Sequence, residues 1–313
     1  MPFVLERSWI GQRVSVRRVV RHPGGAGVAF SDVVGDLVAL DADHAVVETR
    51  SALVEIPVTH VAVARLVAPS TRDELELEAV VARGWRPAEA ESLGGWTLRA
   101  SGGFTGRANS VLPLGPPGPA MDEAVEFVTR WYAQRDLPPK FQVPVEGRRL
   151  LDAELGERGW TPSEDVHVMT RRLQRLGRDR SGADISVTET PTDDWFGVYR
   201  GGAGATADAR GVLLRHETVG FAEARVGGEL VAIGRGTVDD AWLGVTAVEV
   251  VPDARRKGHA GAVMAALTDW GFERAAIRGH LEVSSGNSAA VALYGKLGYR
   301  VHHDYRYRTA PGS

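Results

Sequence analysis

The sequence predicts an α/β protein in which one fold, a mixed sheet flanked by helices, is written twice behind a small all-β domain. Three observations predict it. Residues 10–68 hold only short β-like runs, and the text after residue 69 repeats one order of helix-like and strand-like segments. "LDAELGERGWTPSEDVHVM" (151–169) also lies over "AVALYGKLGYRVHHDYRYR" (290–308) at an offset of 139 residues. The overlay matches a helix, a Gly-aromatic pair (Gly159-Trp160, Gly298-Tyr299) and an alternating strand. A length of 313 residues exceeds one ordinary core and suggests two or three domains.

The runs "VSVRRVV", "GVAF", "DLVALD", "HAVVETR", "LVEIPV" and "VAVARLV" are separated by Gly, Pro and Asp turns, which predicts a small barrel over 1–69. "APSTRDELELE" then starts a helix, with Ser70 or Thr71 as N-cap. A hairpin over 95–112, a helix through "AMDEAVEFVTRWYAQRDL", the strand "KFQVPV" and the helix "RRLLDAELGERGW" fill a second domain, 70–172. The charged, Gly-containing text at 173–183 reads as a linker. The last domain, 184–313, repeats the order: strands "VGFAEARV", "ELVAIGRGT" and "VTAVEVV", a helix from Gly258, the strand "HLEVSS" and the helix "SAAVALYGKL".

With 43% hydrophobic and 25% charged residues and a net charge of −3, the composition is that of a soluble globular protein. No global basic excess asks for nucleic acid; "VSVRRVVRH" alone points that way, and a short charge run is usually a solvated strand face. Glu6 and Arg7 interrupt what a signal peptide would need as its apolar core, and no run approaches the ~18 apolar residues of a membrane span. The expected location is the cytoplasm, with no membrane partner. Zero cysteines remove disulfides, thiolate metal sites and a cysteine nucleophile.

"RRKGHAG" (255–261) runs three cations into a glycine turn that opens a helix. A helix start leaves backbone N–H groups unpaired and partly positive, so a thin glycine turn there can close around phosphate oxygens. By itself the turn reads equally as a solvated helix approach. Competing motifs fail. "GAGATA" (202–207) follows a helix-like segment rather than a strand, and no Walker-type G-x-x-x-x-G-K-[ST] exists. His216-Glu217 lacks a second histidine, and His302-His303 has no carboxylate or cysteine at ligand spacing, so no metal is expected.

The spacing Arg255-x-x-Gly258-x-Ala260 after "VEVVP", followed about 30 residues later by Asn287, Ala290, Leu293, Tyr294, Gly298 and Tyr299, resembles the GNAT superfamily of acyl-CoA N-acyltransferases. Tyr299 stands for the family's usual Phe and Ala260 for its second Gly. The chain order is also similar to actinobacterial proteins that join an SH3-like amino-terminal domain to tandem GNAT-like halves and are described as histone-acetyltransferase-like. The resemblance implies acetyl-CoA as cosubstrate. It puts backbone of Val248, Glu249 and Val250 along the acetyl and pantetheine arm, and the turn Arg255, Arg256, Lys257, Gly258, His259, Ala260 and Gly261 around the pyrophosphate. Asn287 and Leu293 are further cofactor contacts. It makes Tyr294 the general acid, although Ala290, Leu293, Tyr294 and Leu297 share one helix face and Tyr294 also reads as core.

For the base, Glu282 in "LEVSSGN", twelve residues before Tyr294, resembles the glutamate of the ribosomal-protein N-terminal acetyltransferases and is favoured. Glu249 is its rival, and either also reads as a solvated strand residue. Neutralising a lysine at pH 7 costs about 4.6 kcal/mol, but an α-amino group only about 1, so a relayed carboxylate suffices for the latter. In the first half the matching loop is "LGPPGPAMDEA", where Pro116, Pro117 and Pro119 lack the N–H groups of an anion nest, so one acetyl-CoA per chain is expected. "RANS" (107–110) is a candidate lining of the acceptor site, or an ordinary hairpin strand. The expected activity is acetyl transfer to a primary amine of a protein, peptide or small molecule. The alternative is a catalytically idle acyl-CoA sensor or scaffold whose SH3-like domain holds a protein partner.

Overall fold

The computed structural model describes residues 5–21, 28–175 and 181–312. They form two compact units, Met1–Ser70 and Thr71–Ser313. Part of the expected linker, 176–180, lies outside the described residues.

The first unit is an antiparallel sheet of β1 (Arg13–Arg21), β2 (Val28–Leu40), β3 (His44–Glu48), β4 (Leu53–Pro57) and β5 (Val61–Leu66), in the order β4-β3-β2-β1-β5. Alternation puts Val14, Val16, Val33, Leu37, Ala45, Val47, Ile56 and Ala64 on one buried face. The expected barrel is not closed: among the described residues β4 and β5 are the free edges of an open path. Alternation of this kind marks strands and their buried face, but says nothing of whether the edges meet.

The second unit begins with α1 (Thr71–Arg83), the hairpin β6 (Glu89–Leu93) and β7 (Trp96–Ala100), and the short β8 (Leu112–Pro113). Then come α2 (Met121–Ala133), β9 (Lys140–Pro144), α3 (Arg149–Glu157), β10 (Thr161–Pro162) and β11 (Val166–Arg172). After 181 follow β12 (Asp184–Thr188), α4 (Asp193–Val198), α5 (Ala207–Leu214), β13 (Val219–Val226), β14 (Glu229–Asp239) and β15 (Trp242–Val250). The chain ends with α6 (His259–Phe272), β16 (Arg278–Ser284), α7 (Ser288–Lys296) and β17 (Arg300–Thr309).

The repeat is visible in local geometry. α3 and α7 are each nine residues long, and both end on a left-handed glycine, Gly159 (φ 79) and Gly298 (φ 90). In both caps the next aromatic N–H reaches back at 3.0 Å, Trp160 to Leu155 O and Tyr299 to Tyr294 O, which satisfies a carbonyl the helix end leaves free. The strands that follow cross over: β11 pairs antiparallel with β16 and with β17, while β17 also pairs with β9. A single sheet therefore runs β10-β17-β11-β16-β15-β14-β13-β12, with β9 joined at β17.

On one face of this sheet α6 packs Val263, Met264, Leu267 and Trp270 against Ala222, Ala232, Leu243, Val245 and Leu281. The other face holds Trp85, Ala108, Trp195, Phe196, Tyr199, Val212 and Leu213 against Phe221 and Ile233. No helix of the described residues is long and apolar enough to cross a membrane.

Candidate active site

β15 and β16 pair in parallel only from Trp242/Arg278 to Val245/Leu281. Beyond that point β15 bulges. Its register with β14 shifts between Ile233 and Arg235, and Ala247 takes φ 54, a left-handed value that strains a residue with a Cβ. The two strands therefore part where Val248, Glu249 and Val250 lie. Val248 and Val250 pack on the α6 side, and Glu249, paired with Ile233, faces the other way.

The strand runs into Pro252–Ala254, a 3-10 turn, and then Arg256 (φ 65) and Gly258 (φ 92) both turn left-handed before α6. The first bond closing the helix is Ala262 N–H to Gly258 O at 3.1 Å, so the amides of His259, Ala260 and Gly261 precede it. A Cβ on Gly261 would meet nothing within 4 Å, so the surface there is open. The basic side chains steady the loop: Arg255 Nε donates to Val250 O (3.3 Å) and Lys257 Nζ to Asp253 O (3.0 Å), while Arg256 is exposed. His259 is buried, and its Nδ1 has no partner among the described residues.

Asn287 caps α7, its Oδ1 accepting from Ala290 N–H at 3.2 Å. Leu293 packs against the α6 core, and Tyr294 is 9% exposed within it, its ring edge-on to Tyr299 at 6.2 Å. Burial pushes the Tyr294 phenol up to about 12, so it stays protonated through the neutral range.

The two glutamates differ. Glu282 alternates with Leu281 and Val283 and so faces away from α6, with a side chain only 1% exposed. Tyr305 Oη donates to its Oε1 (2.9 Å), Trp85 Nε1 to its Oε2 (3.1 Å), and Arg107 Nε stands 2.7 Å from the same Oε2 as an ion pair. Burial works most strongly against the Arg107 charge, but Glu282 together with Tyr305 and Tyr307 holds that guanidinium well above its usual range. Glu249 is half-buried and accepts only from the backbone N–H of Arg200, at 3.0 and 3.2 Å. Burial raises its carboxyl above the usual range, against the opposing pull of that N–H and of the Arg200 and Arg255 charges.

Residues 107–110 do not form a hairpin strand. Gly106–Ala108 is a 3-10 turn, Asn109 ties the loop through Ser101 N and Gly103 N, and Ser110 accepts from the buried Arg99. His303 does have a carboxylate partner: its Nε2 lies 2.9 Å from Glu78, a contact 225 residues distant in sequence and out of reach of spacing arguments. No group of three or more metal-type ligands occurs among the described residues. Sequence reasoning also missed Trp85 and Arg235, which carry no local motif.

In the first half, the loop matching the glycine turn is tied to the bend between β6 and β7. Gly95 N–H donates to Pro116 O (2.7 Å) and Gly115 N–H to Gly95 O (2.9 Å). Arg148, at the N-cap of α3 where Asn287 stands in α7, donates from Nε to Pro113 O (2.7 Å) and from Nη2 to Leu114 O. A cleft of about 480 Å³ remains there, lined by Trp96, Pro116, Pro117, Met121, Arg148 and Leu151 among others.

Residues 71–308 match the family described as "Probable histone acetyltransferase Rv0428c C-terminal". The chain is 32% identical over 315 residues to the probable histone acetyltransferase Rv0428c of Mycobacterium tuberculosis, covering 97% of each chain. It is 28% identical over 246 residues to the uncharacterized N-acetyltransferase YobR of Bacillus subtilis, covering 75% of this chain and 98% of that one. Among solved structures, a GCN5-related N-acetyltransferase from Kribbella flavida superposes with a TM-score of 0.61 at 18% identity, covering 76% of this chain and 96% of that one. A tandem GNAT protein from the clavulanic acid biosynthesis pathway superposes at 0.54 and 12% identity, covering 78% and 90%. With the parted strands, the glycine turn and these relatives in agreement, the chain belongs to the GNAT N-acetyltransferases, in the Rv0428c family.

Proposed function

We propose that the protein transfers an acetyl group from acetyl-CoA to a primary amine by direct attack within a ternary complex, using only its second GNAT-like half. The observation that carries this reading is the gap between β15 and β16 beside the left-handed turn at Arg256 and Gly258. The residues fit the cofactor. Amides from Arg256 to Gly261 would hold the pyrophosphate, backbone of Val248 to Val250 the pantetheine arm, and Asn287 and Leu293 would flank it.

When bound, acetyl-CoA supplies the activated thioester. Glu249 takes a proton from the acceptor nitrogen; its raised carboxyl is better matched to that task than an ordinary glutamate. Tyr294 Oη holds a proton through the neutral range and gives it to the departing thiolate. Glu282, with both oxygens engaged by Tyr305, Trp85 and Arg107, holds the two halves in register instead of moving a proton.

The segment 70–172 is a duplicate without a cofactor site, interlocked with 184–313 by the crossed strands β11 and β17. Its residues wall the acceptor site. The first unit, whose β4 and β5 are joined by a 3-10 turn at Val58–His60, is an SH3-like module for a protein partner.

Acetyl-CoA consumption over a mixed amine panel tests the reading. Tyr294→Phe and Glu249→Gln should each lose roughly 10²- to 10⁴-fold in kcat. Acetyl-CoA binding with no turnover on any amine, and no effect of either change, would replace the enzyme by an idle acyl-CoA sensor.

A further inference from the structure

Resting on the transferase reading, we infer that the acceptor amine also carries a carboxylate, and that Arg107 receives it. Of two arginines enclosed on the face of the sheet away from α6, only one has a carboxylate partner among the described residues. Arg107 and Arg235 lie over one indole, Trp85, at 5.2 and 5.4 Å from its ring. Of the carboxylates, Glu282 pairs with Arg107, through Nε at 2.7 Å. Arg235 is 0% exposed and donates only to neutral oxygens: Leu213 O (2.9 Å), Gly84 O (3.1 Å) and Thr246 Oγ1 (3.4 Å). Its Nη2 has no partner among the described residues. Burial lowers its pKa only to about 10, so it stays a cation at neutral pH. Arg235 is thus an enclosed cation with no paired anion among the described residues, a costly arrangement that a further negative charge nearby would relieve.

Arg107 is the cation an incoming group can meet. Its side chain is 21% exposed, and Glu282 pins it from the Nε side. Neither terminal nitrogen makes a hydrogen bond among the described residues, which leaves N–H groups whose spacing matches the two oxygens of a carboxylate. Arg235 stands behind with the second positive charge.

The proton acceptor lies on the same face. Thr246, which Arg235 touches, precedes Glu249 on β15, and the buried phenol of Tyr199 feels Arg200, Arg107, Glu249 and Arg235 together. A zwitterion fits: its ammonium toward Glu249, its carboxylate toward Arg107. The substrate class is therefore an amino acid or a short peptide whose amine and carboxylate are close together.

The test compares α-amino acids and short peptides with their C-terminal amides, measuring kcat/KM for acetyl transfer in the full chain. The free carboxylate should be preferred on the order of 100-fold. In Arg107→Gln the ratio should fall to near one with acetyl-CoA affinity unchanged, and Arg107→Lys, which keeps the charge but loses the fork, should fall between. Peptide arms against free amino acids tell the two sources apart. Equal rates for acids and amides, or a preference that survives in folded Arg107→Gln, overturn the inference and leave the transferase standing. If nothing is acetylated, calorimetry with the same amino acids in the presence of CoA decides. Binding lost in Arg107→Gln keeps the carboxylate site and overturns the transferase, and no binding overturns the carboxylate site.

Discussion

Two helix starts in this chain follow similar turns and are built for opposite ends. α2 begins after Pro116-Pro117-Gly118-Pro119, and α6 after Arg255-Arg256-Lys257-Gly258. Both turns hold a left-handed glycine, Gly118 at φ 93 and Gly258 at φ 92, and the turn before α6 adds a second left-handed residue, Arg256 at φ 65. N–H groups and charge separate them further. Three prolines remove donors from the first turn, and Asp122 and Glu123 put two negative charges on the first turn of α2, where the first turn of α6 has none. Arg148 then ties the neighbouring carbonyls of Pro113 and Leu114 together. The start of α2 thus carries fewer donors and more negative charge than the start of α6.

The largest effect that would break this contrast is catalytic. Glu249→Gln should lose at least about 100-fold in kcat/KM, while Glu282→Gln keeps the pH profile. Burial keeps the Glu249 carboxyl protonated to higher pH than an ordinary glutamate, so the rate should rise with pH through that raised value and fall as pH drops below it. A pH–rate profile whose acid limb survives Glu249→Gln and vanishes in Glu282→Gln would restore Glu282 as the base. Next, Gly258→Val, at a φ that side chains with a Cβ avoid, should weaken acetyl-CoA binding on the order of 100-fold by calorimetry; Pro117→Gly should leave it unchanged. Arg148→Ala should destabilise the fold by about 2 kcal/mol in urea unfolding, through two carbonyls losing their donor, with the same acetyl-CoA affinity. Smallest, Gly159→Ala and Gly298→Ala should each cost about 1 kcal/mol, because both caps need the left-handed conformation. Unequal costs would show that the two matching caps are not equivalent.

Much of the second half is legible in its sequence because its signals are local. The turn before α6, the N-cap Asn287, the buried face of α7 and the Gly-aromatic caps all lie within a few residues of the features they dictate. The surroundings of the two glutamates are not local. "LEV" around Glu282 looks catalytic in a line of text, but its partners Trp85 and Arg107 come from the other half, Trp85 from 197 residues away, and only the folded chain shows both oxygens occupied. The crossing of β11 and β17 is likewise hidden, since alternation marks a strand but not its neighbour. The open edges of β4 and β5, and the charge deficit at Arg235, depend on three-dimensional pairing in the same way.

If only the second GNAT-like half holds the cofactor, isothermal titration of the full chain with acetyl-CoA should show one equivalent per chain, lost in Gly258→Val and kept in Pro117→Gly. Two equivalents, or a single site that survives Gly258→Val, would contradict it.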